Sequence, residues 1–230
     1  QSILQKEKIP YTGSGVEASR LAMDKIASRE RFRASNISTP KNVVFEKGKT
    51  GFSEAAGSLS LPIVVKPQQE GSSIGLSVIR KREDIAGGVE KALKYGPKAI
   101  LEEYIQGREL TVGILRDDPL PVIEISARDN VYDYSAKYDD PDTVYTVPAA
   151  VDPDVYKRAQ ELGLKAHRAL GCSSFSRVDM MMDSRDMAIY VLEVNSIPGM
   201  TERSLFPKAA QAAGIGFGEL CLRITEQALR

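Results

Sequence analysis

The residues best suited to chemistry lie in one short stretch: Ser176-Arg177-Val178-Asp179, then Tyr190-Val191-Leu192-Glu193-Val194-Asn195-Ser196-Ile197-Pro198-Gly199-Met200. Apolar and β-branched residues on either side of the polar turn Asp183-Ser184-Arg185-Asp186 predict a hairpin. Alternate residues of a strand share a face, so Arg177 goes with Asp179 and Glu193 with Asn195. A register that brings both pairs to one face sets two carboxylates side by side, which is destabilising for like charges. A divalent cation removes that repulsion, and Asp179, Glu193 and Asn195 carry the hard oxygens that Mg2+ accepts alongside substrate phosphates. A solvated outer face, whose charges need no partner, is the bland alternative.

Other residues extend this chemistry. Lys66 ends the apolar stretch Leu61–Pro67, where a buried ammonium requires an anion unless it snorkels to water. Just beyond it, Glu70-Gly71-Ser72-Ser73-Ile74-Gly75 suits a backbone wrapped around phosphates, although no Gly-Lys-Ser/Thr follows and it is not a Walker A loop. Leu101-Glu102-Glu103-Tyr104-Ile105 joins two halves of the chain. There a strand can offer N–H and C=O groups to an adenine edge while Glu109 holds ribose hydroxyls; a plain hinge with surface acids accounts for the same residues. After the hairpin, the Gly199 N–H is placed to face a developing oxyanion, and Ser204 lies just beyond. Residues 127–150 are polar and aperiodic, a length that usually marks a functional loop. Its Lys137 and Tyr138 can close over a reacting site. Equally, Tyr132, Tyr134, Tyr138 and Tyr145 can simply anchor the loop.

The elements that position these residues follow from local pattern. Ser14 and Glu17 form a capping box opening a helix to about Phe32, with Val16, Leu21 and Ile26 inward. Strands are expected at Pro40–Phe45, Leu61–Pro67, Leu76–Ile79 and Ala99–Tyr104, with helices at Phe52–Ser58 and from Asp84 to Lys94. Further on, strands at Glu109–Leu115 and Pro121–Ser126 precede a helix opened by Asp152-Pro153 and running to Leu170. Beyond the hairpin come a helix from Pro207, closed by Gly214, and another led by Gly218. This order predicts an α+β fold of mainly antiparallel sheets carrying helices. Two lobes, 14–105 and 106–230, follow a linker or domain remnant at 1–13.

Composition narrows the function. Lys+Arg and Asp+Glu both number 31, so there is no bulk attraction to nucleic acid or membrane, and an anionic ligand must be held locally. No apolar run suits a membrane span and no signal peptide opens the sequence, so a cytoplasmic protein is expected. Cys172 and Cys221 form no CxxC pair and read as buried thiols. The single histidine, His167, placed on a polar-faced helix, excludes a His-based triad or a His-rich metal site. Gln1–Lys8 resembles the tail of a helix, and a domain preceding residue 1 is expected.

Together these motifs resemble the ATP-grasp ligases, and among them the D-alanine–D-alanine ligase family. The likeness runs from Val16-Glu17-Ala18-Ser19 and Met23-Asp24-Lys25 to Phe217-Gly218-Glu219-Leu220. Its most specific parts are Val65-Lys66-Pro67 with Glu70–Gly75, Tyr132-Asp133-Tyr134 with Ala136-Lys137-Tyr138, and Arg177–Asp179 with Leu192–Thr201 and Ser204-Leu205. The resemblance implies an ATP-grasp fold, two α+β lobes enclosing a nucleotide cleft, and D-alanyl-D-alanine synthesis for peptidoglycan through an acyl phosphate. It implies that Lys25, Lys66 and Lys137 contact the phosphates, with Ser73 in the phosphate loop. Glu102 and the backbone of Glu103, Tyr104 and Ile105 would hold adenine, and Glu109 the ribose. Asp179, Glu193 and Asn195 would ligate two Mg2+ ions, or Mn2+. Arg177 and the Gly199 N–H would stabilise the tetrahedral oxyanion, Ser204 would bind the second substrate's carboxylate, and Ser72 with Tyr138 would order the loop. A homodimer and an N-terminal domain that completes the first D-alanine site are implied as well. The family's usual Glu-Ala-Asn-Thr is Glu193-Val194-Asn195-Ser196 here, and its Gly-Arg is Ser176-Arg177; the ligand types are kept. Tyr138, where depsipeptide-forming relatives have phenylalanine, favours an amine acceptor. Ligation of another carboxylate and amine, and nucleotide binding without catalysis, are the alternatives.

Overall fold

The computed structural model describes residues 1–49, 57–126 and 143–229. The helix expected at Phe52–Ser58 and the loop residues Tyr132, Asp133, Tyr134, Ala136, Lys137 and Tyr138 therefore lie largely or wholly outside the described residues.

Short apolar, β-branched runs form two antiparallel sheets. The first has the order β1-β4-β2-β3, built from β1 (Asn42–Glu46), β2 (Ile63–Pro67), β3 (Ser77–Ile79) and β4 (Lys98–Glu103). Helix α4 (Ile85–Leu93) covers it, burying Ile85, Val89 and Ala92 against Val65, Ile79 and Leu101. Those helical positions recur at four and three residues, as one apolar stripe requires.

The second sheet runs β10-β9-β5-β7-β8, with β6 (Asp118–Pro119) paired to β5. Its strands are β5 (Gly107–Leu115), β7 (Ile123–Ser126), β8 (Val144–Thr146), β9 (Phe175–Asp183) and β10 (Ile189–Asn195). Strand β8 falls inside the stretch read from sequence as an unstructured loop; it pairs with β7, Tyr145 opposite Ile125. Both faces of this sheet are covered. Helix α5 (Pro153–Ala169) packs Val155, Ala159 and Ala166 against Val112, Val178 and Met180 on one face. Helices α6 (Leu205–Ala212) and α7 (Phe217–Ala228) pack Phe206, Ala210 and Leu220 against Leu115, Ile123 and Phe175 on the other. With both faces covered, most of β5 and β9 is buried, the polar Thr111, Ser176 and Asp179 included. Asp152 caps α5 as expected, its carboxylate accepting from Asp154 N at 2.9 Å.

The expected helix to Phe32 is two helices. After the short α1 (Ser2–Lys6), α2 (Val16–Met23) stops at Asp24 and α3 (Lys25–Ala34) restarts there. No capping box forms: Gly15 is the N-cap, and the Ser14 hydroxyl donates to the Ser173 carbonyl at 3.2 Å. Leu21 is buried, whereas Val16 and Ile26 are only partly so. His167 does not lie on a solvated face. It is 2% exposed, with Nδ1 2.7 Å from Ser176 Oγ, because it occupies the sheet-facing side of α5. Cys172 and Cys221 are free and half-buried rather than fully buried. No described helix is long and apolar enough to cross a membrane.

Candidate functional site

The hairpin register sets Glu193 directly opposite Asp179 and Asn195 opposite Arg177. A register irregularity between Val191 and Glu193 makes Leu192 the extra residue of a bulge, which re-aims the strand at this point. Asp179 is 4% exposed, and four donated hydrogen bonds make its burial tolerable. Arg177 donates to it from Nε at 2.8 Å and Nη2 at 2.7 Å, Thr111 Oγ1 at 2.7 Å and Asn195 Nδ2 at 3.0 Å. Arg177, expected to face an oxyanion, thus has two N–H groups on Asp179.

Among the described residues no group of three or more His, Cys, Asp or Glu gathers as a metal site. The donor set is instead two opposed carboxylates and one amide. That fits Mg2+, which commonly takes one or two carboxylates and completes its octahedron with water and phosphate.

A cationic cluster faces this pair. Lys25, at the start of α3, donates to the Glu70 carbonyl and lies 3.8 Å from Glu193 Oε2. One turn on, Arg29 reaches Glu102 Oε2 with Nη2 at 2.5 Å and donates from Nη1 to the Leu192 carbonyl at 3.1 Å. The other oxygen of Glu102 is ion-paired with Lys66. Lys66 therefore meets the anion its burial demands, and that anion is a protein side chain. Glu102 lines the cleft, but with both carboxylate oxygens engaged it holds Lys66 in place more directly than it could hold a base. Burial alone would raise the Glu102 carboxyl; Arg29 and Lys66 outweigh that and hold it at about 2. Burial pushes Lys66 down to about 8 against the pull of Glu102, with Arg29 and Lys25 adding to the fall.

The loop after β2 is fixed from α3. Asp24 caps that helix, its Oδ1 accepting from Ile26 N and Ala27 N at 3.0 Å each. Its Oδ2 accepts from Gln68 Nε2 at 2.7 Å and Gln69 Nε2 at 3.2 Å, while Lys25 N donates to the Gln68 carbonyl at 3.0 Å. Ser72, Ser73 and Gly75 have φ of 51°, 58° and 73°, so the serines themselves adopt the left-handed conformation. Such strain in a non-glycine residue persists where the surroundings impose it, commonly at ligand clamps.

Between loop and hairpin lies a cleft of about 960 Å³, counting space open to solvent. Val64 and Ile74 on one side and Met181 and Leu192 on the other give it apolar walls. Ser73, Glu103, Tyr104, Ile105 and Glu109 all line it, as do Lys25, Lys66, Asp179 and Glu193. The N–H groups of Glu103 and Tyr104 already donate, to the Lys41 carbonyl at 2.8 Å and the Pro62 carbonyl at 3.2 Å. What this strap can offer a base edge narrows to Ile105 N–H and the carbonyls. Away from the cleft, Gly199 lies so close to Ser204 that a Cβ on it would stand 2.8 Å from Ser204 Oγ. That hydroxyl accepts from Thr201 N at 3.2 Å and pairs with Thr201 Oγ1 at 2.9 Å, at the N-terminus of α6.

Sequence reasoning did not single out Arg29 or the Asp24 clamp. The four-residue spacing from Lys25 to Arg29 was the available signal, since it aligns two cations on one helix face.

The family model described as D-ala D-ala ligase C-terminus matches residues 34–226. The D-alanine–D-alanine ligase of Geotalea uraniireducens is 43% identical over 225 residues, 97% of this chain and 72% of that protein. That of Nitrosomonas europaea is 42% identical over 226 residues, 98% of this chain and 73% of the relative. Among solved structures, the Bacillus anthracis D-alanine–D-alanine ligase complexed with ATP superposes with a TM-score of 0.87 at 32% identity, covering 100% of this chain and 74% of that one. A second structure of the Bacillus anthracis enzyme gives 0.86 at 35% identity. The two sheets and the cleft between them are thus the ATP-grasp fold, and the chain belongs to the D-alanine–D-alanine ligase family.

Proposed function

We infer that the chain binds ATP in the cleft and uses it to join two D-alanines into D-alanyl-D-alanine, a peptidoglycan precursor. The observation that carries this reading is that the Asp179–Glu193 pair, Lys25 and Lys66 line one cleft with apolar walls. The apolar walls suit a purine, the lysines suit its phosphates, and the relatives bearing the ligase name span nearly all of the chain.

In this reading ATP phosphorylates the carboxylate of one D-alanine, the amine of the second attacks the acyl phosphate, and ADP and phosphate leave. Lys25 and Lys66 fix the phosphates, joined by Lys137 from its loop, and Ser73 sits in the phosphate loop. Ile105 N–H and the strap carbonyls take the adenine edge, and Glu109 the ribose. Asp179, Glu193 and Asn195 would hold two Mg2+ ions, or Mn2+, with the Asn195 amide turned to present oxygen. Bound metal supplies charge neutralisation at the phosphate oxygens. Arg177 and the Gly199 N–H face the developing oxyanion, Ser204 and the α6 N-terminus suit the acceptor carboxylate, and Ser72 with Tyr138 order the loop. A cytoplasmic location, a homodimer and an N-terminal domain completing the first D-alanine site belong to the same proposal, as does the division into lobes 14–105 and 106–230.

The test is ADP release from MgATP with D-alanine, L-alanine or D-lactate, with products identified by mass spectrometry. D-alanyl-D-alanine formed only with D-alanine supports the reading. A product from another carboxylate–amine pair overturns the substrate, and failure to bind MgATP overturns the cleft.

A further inference from the structure

Arg29 is 2% exposed, and its Nε has no hydrogen-bond partner among the described residues. A single cation suffices to balance a buried carboxylate, yet Glu102 holds two, Arg29 and Lys66. The buried group therefore carries one surplus positive charge, beside Lys25 one turn away. A pairing built for stability alone leaves no such surplus, because uncompensated buried charge is costly. The remaining contact of Arg29 is also specific: Nη1 donates to the carbonyl of Leu192, the bulged residue immediately before Glu193. One side chain from α3 thus touches both sheets. It meets the first at Glu102 of β4 and the second at the bulge of β10, and only a planar fork with several donors can serve both acceptors at once.

We propose that Arg29 is a positioning residue for phosphoryl transfer: through Glu102 it sets Lys66, and through the Leu192 carbonyl it sets Glu193, so the phosphate-binding lysine and the metal-binding hairpin keep one fixed separation. This rests on the MgATP reading of the cleft. Lys25 and Arg29 act as two rungs of one ladder, the first touching ligand-facing atoms and the second acting only through its neighbours. Burial is the main cause of the lowering of Lys66, and the Arg29 charge adds to it.

The test compares Arg29→Lys with Arg29→Met in steady-state kinetics, with melting temperatures recorded. Arg29→Met should raise KM for ATP and lower kcat, each about tenfold, the scale of losing a supporting shell around a metal site. Arg29→Lys keeps the charge but cannot serve both acceptors, so KM for ATP should recover to within about threefold while kcat stays about tenfold low. KM for D-alanine at saturating MgATP should not move in either. Where Arg29→Met fails to fold, Arg29→Lys decides alone. Wild-type kcat in Arg29→Lys, or losses in proportion to the unfolded fraction, would overturn the proposal. If the unmodified chain releases no ADP in response to D-alanine, the ligase reading fails separately. Arg29 is then judged by Mg2+-dependent ATP binding: about tenfold weaker in Arg29→Met supports its role, unchanged affinity overturns it.

Discussion

Asp179 and Glu193 stand opposite one another but in different settings, and their variants should part accordingly. Asp179 is buried under donors, whereas the Glu193 side chain is 25% exposed with Lys25 at 3.8 Å. Asp179→Asn and Glu193→Gln should both lower kcat by about 10³-fold, as loss of several kcal/mol of metal-centred stabilisation implies. Only Asp179→Asn should also destabilise the fold, by about 3 kcal/mol, because it leaves the half-buried Arg177 without its carboxylate. Denaturant titration beside kinetics separates the two, and full activity in either variant would sink the metal assignment. Gly199 offers a test at the other end of the site. A Cβ there meets Ser204 Oγ, which two hydrogen bonds to Thr201 hold in place. Gly199→Ala should therefore cost kcat about 10²-fold, the scale of a displaced oxyanion donor, with KM for ATP unchanged. A parallel rise in KM for ATP would instead place Gly199 in the nucleotide site.

Helix α3 is the element on which the site depends most. Its first turn carries Asp24 as cap and Lys25, which faces Glu70 and Glu193, its second carries Arg29, and all three contact residues far away in sequence. Asp24→Ala should cost about 1 kcal/mol for the cap. It also releases Gln68 and Gln69, so KM for ATP should rise several-fold while KM for D-alanine holds. Asp24→Asn keeps one oxygen for the cap, and its Nδ2 can donate to a glutamine whose amide turns to present Oε1, so it should recover both; an Asp24→Ala variant that loses only stability would show that the clamp on the loop is idle. This element also marks where sequence reading reached its limit. The hairpin was legible because alternation and turn residues are local, and a single register then sets Glu193 against Asp179. The pairing of Arg29 with Glu102 spans 73 positions and has no local signature. The break at Asp24 was hidden because neither glycine nor proline interrupts residues 16–34. There, docking of the Asp24 carboxylate onto the loop after β2 overrides helical continuity. The left-handed serines were likewise unreadable, since the flanking glycines alone account for a turn.

At the scale of the whole molecule, two buried groups tie stability to acid in successive windows. Burial holds His167 down at about 4, well below its ordinary 6.5, with the charge of Arg168 adding to that effect and Asp117 opposing it. A group whose folded pKa is depressed stays unprotonated in the fold while the unfolded chain takes up the proton. Stability is therefore intact above 6.5 and is lost as pH falls from 6.5 to 4. Between pH 7 and pH 5 this one site should remove about 2 kcal/mol. Glu102 then acts in the next window: held at about 2 by Arg29 and Lys66 against its own burial, it gives stability that is complete above 4.5 and lost as pH falls toward 2. Both sites join separate elements, His167 of α5 to Ser176 of β9 and Glu102 of β4 to α3, so each proton taken up loosens packing between elements. Urea unfolding at pH 7 and pH 5 checks the first step. His167→Gln, which keeps a polar partner for Ser176 but cannot titrate, should flatten the difference in that range while leaving the steeper loss below 4.5. An unaltered slope between pH 7 and pH 5 in that variant would mean that other groups, not His167, carry the acid sensitivity of the second sheet.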